Sequence, residues 1–469
     1  MTTPAPSTFG KLRKTALAML AAVVTVSPTL ASAQDGAPAE RPNVIVILAD
    51  DVGVEAFRAY GGEHDTPNIE RLAREGVTFD HAFATPLCSP SRTRLMTGKE
   101  NAHNYEAFGY LGADQRTFGN VFSEAGYATG MVGKWQLSGN GYDGRTGITP
   151  TQAGFGQSLL WQLEAGPQKG SRYWGATHWQ DGSWIIHEDG FGPDFLSDYA
   201  LSFLDQHADG PFFLYYPMVL VHDPFVTTPA ERVGGDEQQR FGSMMRYMDR
   251  MVGRLLDRLD ALNLTDNTLI VFTADNGTNR RIYSQRNGER VRGGKGQPTL
   301  TGTHVPLMMR WPGHIPAGQR RSAMFDFSDV LPTIAEAAAL PVAADVDGVS
   351  QLAVAQGRAE AARDTIFQHY APVWRWPSTR FVFDLERKLY EDGRYVALDL
   401  SVGEETELDR ATLTEADRER LARFQAILEA DKVPLNPARF PWCAGEEPKV
   451  AGGDPVVVGC DASPGNRAD

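Results

Sequence analysis

Asn43-Val44-Ile45-Val46-Ile47-Leu48-Ala49-Asp50-Asp51 is the stretch of this 469-residue chain that decides the fold. An unbroken apolar run, rich in β-branched residues and without polar alternation, reads as a strand buried on both faces, the environment of a parallel sheet covered by helices. It ends in two adjacent carboxylates. Asp50 and Asp51 repel each other after a buried strand unless a cation lies between them, so a metal site is the economical reading. The bland alternative is that Asp51 caps a following helix.

Working outward, three more strands end in polar residues. Residues 128–132 lead into Gly133-Lys134-Trp135-Gln136-Leu137. Residues 212–221, broken by Pro217, deliver His222-Asp223-Pro224, and residues 269–273 deliver Ala274-Asp275-Asn276-Gly277. Gly293-Gly294-Lys295-Gly296 places a lysine in a glycine-rich loop ahead of a strand at 305–311. The carboxyl ends of strands in an open α/β sheet form the ligand crevice, so these distant segments are expected to converge. Taken singly, a lysine in a glycine loop is a solvated side chain and a histidine before Asp-Pro is a turn residue; the common placement argues otherwise.

Helices are expected at 66–76, with Thr66 as N-cap and Pro67 in the first turn, at 117–125 and at 327–340, with 351–360 in a crossover. Met244, Met248, Met251, Leu255, Leu259 and Leu262 recur at helical spacing and mark a core-packing helix. Residues 139–192, with Trp161, Trp174, Trp179 and Trp184 among His178, His187 and many glycines, read as long loops. Such tryptophans stack on sugars or aryl groups, or pack the loops onto the core. From about Phe381 short strands at 387–390 and 394–400, a turn at Gly403 and a charged helix at 414–429 suggest an antiparallel sheet with one helix. The fold class is α/β: a large, mostly parallel central sheet flanked by helices at 42–375, plus a smaller C-terminal α+β subdomain with an antiparallel sheet and tail at 376–469.

Composition excludes several classes. With 42% hydrophobic and 22% charged residues the chain is globular rather than disordered. Lys11, Arg13 and Lys14, an apolar run from Ala16 to Val26, and Ala31-Ser32-Ala33 follow the order of a secretory signal peptide cleaved after Ala33. The run is too short for a membrane anchor, and no stable membrane insertion is expected. Residues 34–41 read as a linker, and the mature chain as periplasmic or secreted. The net charge of -14 becomes about -17 once the leader is removed. Such a surface excludes nucleic acid as a partner and requires a local positive pocket for any anionic substrate. Of three cysteines, Cys443 and Cys460 lie close enough in sequence to form a disulfide, worth ~3 kcal/mol; Cys88 is then an odd thiol in an oxidising compartment.

Cys88 lies in Thr85-Pro86-Leu87-Cys88-Ser89-Pro90-Ser91-Arg92-Thr93-Arg94-Leu95-Met96-Thr97-Gly98, which reads as a turn rich in hydroxyls and arginines. Cysteine, any residue, proline, any residue, arginine, followed by Leu95 to Gly98, resembles the signature of the type I sulfatases of the alkaline phosphatase superfamily, and the resemblance runs from about Pro42 to about Thr406. It implies an alkaline-phosphatase-like sandwich. It also implies that a formylglycine-generating enzyme oxidises Cys88 to formylglycine, whose hydrate attacks the sulfur of a sulfate ester, its second hydroxyl later expelling sulfate.

By the same resemblance Asp50, Asp51, Asp275 and Asn276, with the oxidised Cys88, bind calcium; their oxygen donors leave magnesium open. Arg92 holds the formylglycine, Lys134 and Lys295 bind sulfate oxygens, and His222 contacts the sulfate and protonates the leaving oxygen. The chain departs from the pattern at Gln136, where many sulfatases carry a histidine that takes a proton from the hydrate; a glutamine can only hydrogen-bond. The expected substrate is a sulfated carbohydrate or an aryl sulfate. The rival readings are a phosphodiesterase or phosphonate monoester hydrolase on the same scaffold, and a non-catalytic binder of sulfated glycans.

Overall fold

The buried run at the start of the chain is the centre of the main sheet. The computed structural model describes residue 1 and residues 41–139, 146–162, 171–232, 234–372 and 378–432. The leader beyond Met1, Cys443, Cys460 and Trp374-Arg375-Trp376, where determinants of substrate choice are expected from sequence, lie outside the described residues. The strands are β1 (Asn43–Ala49), β2 (Val77–Phe83), β3 (Ala128–Lys134), β4 (Gln157–Trp161), β5 (Thr177–Gln180), β6 (Ser183–Ile186), β7 (Phe212–Pro217) and β8 (Thr268–Ala274). A hairpin of β9 (Tyr283–Arg286) and β10 (Glu289–Arg292) precedes β11 (His304–Arg310) and β12 (Gln319–Asp326). The ten-stranded sheet runs β12-β2-β11-β8-β1-β7-β3-β4-β5-β6. Its middle, β8-β1-β7-β3-β4, is parallel throughout, with β11 and β5 antiparallel to their neighbours. Every residue of β1, β7 and β8 is buried, as continuous apolar runs require.

Residues 139–192 differ from the loop reading, because β4, β5 and β6 extend the main sheet there. The local signal was Asp181-Gly182, both at positive φ, a two-residue turn closing the β5–β6 hairpin. Trp179 and Trp184 pack edge-to-face on each other across it, so for this pair packing wins. The Cys88 stretch also differs: it is not a turn but a ten-residue helix, Cys88–Thr97, every residue of which is buried. Its serines and threonines are poor helix formers, and Pro90 is tolerated because it falls in the first turn. Burial of the whole element outweighs propensity.

Two other helices show how side chains replace missing backbone partners. Thr66 precedes Pro67–Glu75 without capping it. Asp249, from the middle of the long helix, instead accepts hydrogen bonds from the N–H groups of Asn68 (3.0 Å) and Ile69 (2.8 Å). The long helix, Glu237–Ala261, starts with a reciprocal capping box between Asp236 and Gln239 and buries Met244, Met248, Met251, Leu255 and Leu259. Each such side chain contributes about 1.5–3 kcal/mol.

The second sheet is antiparallel: β13 (Ile366–Tyr370), β14 (Thr379–Phe383), β15 (Arg387–Tyr390), β16 (Tyr395–Asp399) and β17 (Glu404–Glu407). It begins ahead of residue 376, where the second subdomain was expected to start. Alternation sets its two faces. Phe381, Phe383 and Tyr390 pack with Leu87 and Cys88, while Val382, Leu389 and Tyr395 pack under the helix Glu415–Ala430 through Leu421, Phe424 and Leu428. Among the described residues, no helix is long and apolar enough to cross a membrane.

Candidate active site

The four polar strand ends do meet. β8, β1, β7 and β3 are neighbours in the parallel block, so Asp275-Asn276, Asp50-Asp51, His222 and Lys134 come to one edge of the sheet. The approach of β3 to β7 depends on Gly133, at φ +128, where a Cβ would lie 1.9 Å from Pro217 O. Asp51 caps no helix. It takes the left-handed conformation at φ 63, its N–H donating to Asp275 Oδ1 at 3.0 Å. A non-glycine residue held there stores backbone strain, a recurring feature of functional sites.

Charge pairs fill the edge. Lys134 Nζ lies 2.8 and 3.0 Å from the two oxygens of Asp50, and Lys295 Nζ bonds Asp51 Oδ2 and stands 2.9 Å from His222 Nε2. Lys295 is brought in by its own loop, Lys295 N–H donating to Thr278 O (3.0 Å) and Gly296 N–H to Pro86 O (2.8 Å). Arg92, 1% exposed, donates to Asp275 Oδ2 through Nε (2.9 Å) and one terminal nitrogen (2.8 Å), and to Lys134 O (3.1 Å). Its guanidinium thus pairs with the Asp275 carboxylate. Cys88 begins the buried helix and points its thiol at Gln136 Oε1, 3.5 Å away. Gln136 itself is left-handed, at φ 57.

Burial raises the Asp50 carboxyl, but Lys134, Arg92 and Arg172 outweigh it and hold it below the usual range. For Asp51 burial wins over Lys295, and for Asp275 over Arg92, and both are raised. Burial likewise raises Cys88 against the pull of Lys134, so the unmodified residue is a thiol and a poor nucleophile at neutral pH. Burial, then Arg172 and Lys295, push His222 well down, leaving a neutral ring.

Asp50, Asp51 and His222 each offer a ligand atom, and these atoms lie within 4.8 Å of one another. The oxygens of Asp275 take the Asp51 N–H and two N–H groups of Arg92. Asn276 donates through Nδ2 to Asp51 Oδ1 and Gly277 O, both at 2.9 Å, which leaves its Oδ1 buried and without a partner among the described residues. A buried amide oxygen beside two carboxylates fits a hard cation. The sequence reading missed one charged side chain at this edge, Arg172, whose terminal nitrogen is 3.5 Å from Asp50 Oδ2. An isolated arginine in an aromatic-rich segment gives no local signal.

Comparison with known proteins agrees with this geometry. The family described as Sulfatase matches residues 42–340, and the one described as N-sulphoglucosamine sulphohydrolase, C-terminal, matches 301–390. The N-acetylgalactosamine-6-sulfatase of Homo sapiens is 28% identical over 394 residues, covering 73% of this chain and 73% of that protein. The N-acetylgalactosamine-6-O-sulfatase of Bacteroides thetaiotaomicron is 28% identical over 413 residues, covering 71% of this chain and 80% of that protein. Among solved structures, Ps i-CgsB shares the fold with a TM-score of 0.71 at 23% identity, over 85% of this chain and 94% of that one. With the matched span running from β1 past β12, the chain belongs to the sulfatase family, and it is a sulfuric ester hydrolase on an alkaline-phosphatase-like fold.

Proposed function

We propose that the protein hydrolyses a sulfate ester carried by a sugar, with Cys88 oxidised to formylglycine and calcium held by Asp50, Asp51, Asp275 and Asn276. The observation that carries this reading is the unpartnered Asn276 Oδ1 buried beside Asp51, at the edge where Cys88, Lys134, His222 and Lys295 meet. The two relatives named as N-acetylgalactosamine sulfatases support a sugar as the alcohol. The modified cysteine would supply a hydrated aldehyde as nucleophile, and the cation would draw negative charge from a sulfate oxygen.

The chain's own side chains supply the rest. Lys134 and Lys295, fixed on Asp50 and Asp51, present N–H donors to the sulfate oxygens, whose charge grows as the ester bond breaks. Arg92 holds Asp275 in place through two N–H donors. His222, neutral and with its Nδ1–H on Asp223 O, turns Nε2 toward Lys295 Nζ, so a proton for the leaving oxygen would come from the Lys295 ammonium, directly or through His222 Nε2. Gln136 orients a hydroxyl at the Cys88 position through Oε1 and leaves the removal of its proton to another group or water. The maturing enzyme, export to the periplasm or medium, and a division into a catalytic part and a C-terminal part complete the reading.

Mass spectrometry of the Cys88 peptide, from protein produced with a formylglycine-generating enzyme, should show sulfur replaced by an aldehyde oxygen. That protein should release sulfate from a hexose sulfate and from para-nitrophenyl sulfate, and Cys88→Ala should lose about a thousandfold or more of the activity. Faster cleavage of an aryl phosphodiester than of the aryl sulfate would overturn the assignment.

A further inference from the structure

Arg172 stands apart from the cations already placed. Lys134 and Lys295 sit on Asp50 and Asp51, and Arg92 sits on Asp275 with a longer approach, 3.6 Å, to Asp50. Arg172 is a fourth cation at this edge, and its contact with Asp50 is long, 3.5 Å, for a charge-assisted bond. Its guanidinium lies 3.8 Å over the ring of Trp161, which fixes the plane of a side chain only 12% exposed. A guanidinium so held presents several N–H groups in one plane, the geometry that matches a carboxylate or a sulfate in two-point contact.

Tyr173, the next residue, donates through its hydroxyl to Val219 O (2.8 Å) and His222 O (2.5 Å), tying Arg172 to the segment that carries His222. Trp161 ends β4, and Gln162 follows it at φ 60, its carbonyl accepting from Gln136 N–H at 3.0 Å. Gln162 Oε1 is buried and has no partner among the described residues. A planar cation beside Asp50 is thus tied to the segment that carries His222.

We propose that Arg172, stacked on Trp161, is a specificity residue that binds a second anionic group, a carboxylate or a further sulfate, on the sugar bearing the scissile ester. This rests on the sulfate-ester reading above and narrows it to substrates with two negative charges.

The test compares three saccharides: a neutral hexose monosulfate, a uronic acid monosulfate and a hexosamine disulfate. The wild-type enzyme should show a lower KM for the two dianions. Arg172→Gln should raise KM for them by about tenfold to a hundredfold, with a smaller rise for the neutral sugar. Arg172→Lys, which keeps the charge and loses the fork, should fall between, and the dianion that loses more identifies whether carboxylate or sulfate is held. A KM ratio that Arg172→Gln leaves untouched, or an equal loss of kcat on all three sugars, would overturn the proposal. If the wild-type protein cleaves neither these nor para-nitrophenyl sulfate, the enzymatic reading has failed on its own. Calorimetric titration of the same saccharides onto Cys88→Ala protein, with and without Arg172→Gln, then still decides whether Arg172 discriminates dianions.

Discussion

Two buried clusters of arginines and acids lie in this molecule, and only one has the marks of an active site. At the end of the Cys88 helix, Arg94 pairs with Asp326 (2.7 and 2.9 Å) and Glu100 (2.6 Å), and Arg363 with Asp329. Both oxygens of Asp326 and of Asp329 are engaged by neighbours, including Ser328, Val349 N–H and Gln351. Arg94 also donates to Phe367 O on β13 (3.0 Å), joining the helix to the second sheet. Each cluster holds one buried amide oxygen without a partner among the described residues, Gln351 Oε1 in the brace and Asn276 Oδ1 at the strand edge; the strand edge adds a thiol, a histidine beside a lysine, a second arginine on Asp50 and two left-handed non-glycine residues, Asp51 and Gln136. Buried charge by itself marks a brace; buried charge gathered with a thiol, a histidine and strained backbone marks a place for a ligand.

The contrast is open to direct attack. Arg94→Ala strips a partner from buried Asp326 and Glu100 and should destabilise the fold by about 3–5 kcal/mol, read as a lower denaturation midpoint; a loss near zero would mean that the brace braces nothing. Calcium at about a hundred times its Kd should stabilise the wild-type protein by about 2.7 kcal/mol, reversibly with chelator, and Asn276→Ala should shrink that gain. An equal response in both proteins would remove the amide from the cation site. Gln136→His should raise kcat by about tenfold or less, because it supplies a base where the amide had none. A large fall instead would show that glutamine has its own role.

The smallest effect belongs to the brace. Burial, against Arg94, raises the Glu100 carboxyl from 4.5 to about 8. The folded chain then keeps a proton that the unfolded chain releases, so stability contributed here falls as pH climbs from about 4.5 to about 8. Glu100→Gln should remove that slope, and the variant's melting temperature should gain on the wild type's by a few degrees between those limits. A constant gap across the range would refute the shift.

Much of the candidate site was legible because each polar end follows an apolar run that only a buried strand explains, as at Ile47-Leu48-Ala49-Asp50 and Val271-Phe272-Thr273-Ala274-Asp275. The helix at Cys88 was not, since its Ser, Thr and Pro residues oppose a helix locally and full burial imposes one. The strands at 157–186 were obscured by glycines and aromatics, although Asp181-Gly182 was a usable hairpin signal. Asp249 as the remote partner of the Asn68 and Ile69 N–H groups had no signal at all, the two segments being far apart in the chain.

The sequence by itself determined the parallel core, the order of the strand-end acids and cations, and the Cys88-to-Arg92 motif, because strand burial and turn chemistry are written over a few consecutive residues. Tertiary structure alone decided that Arg92 pairs with Asp275, that Asn276 Oδ1 has no partner among the described residues and that Arg172 lies on Trp161 beside Asp50. Those are relations between residues brought together by sheet order, and partnership at about 3 Å is a property of packing rather than of neighbours along the chain.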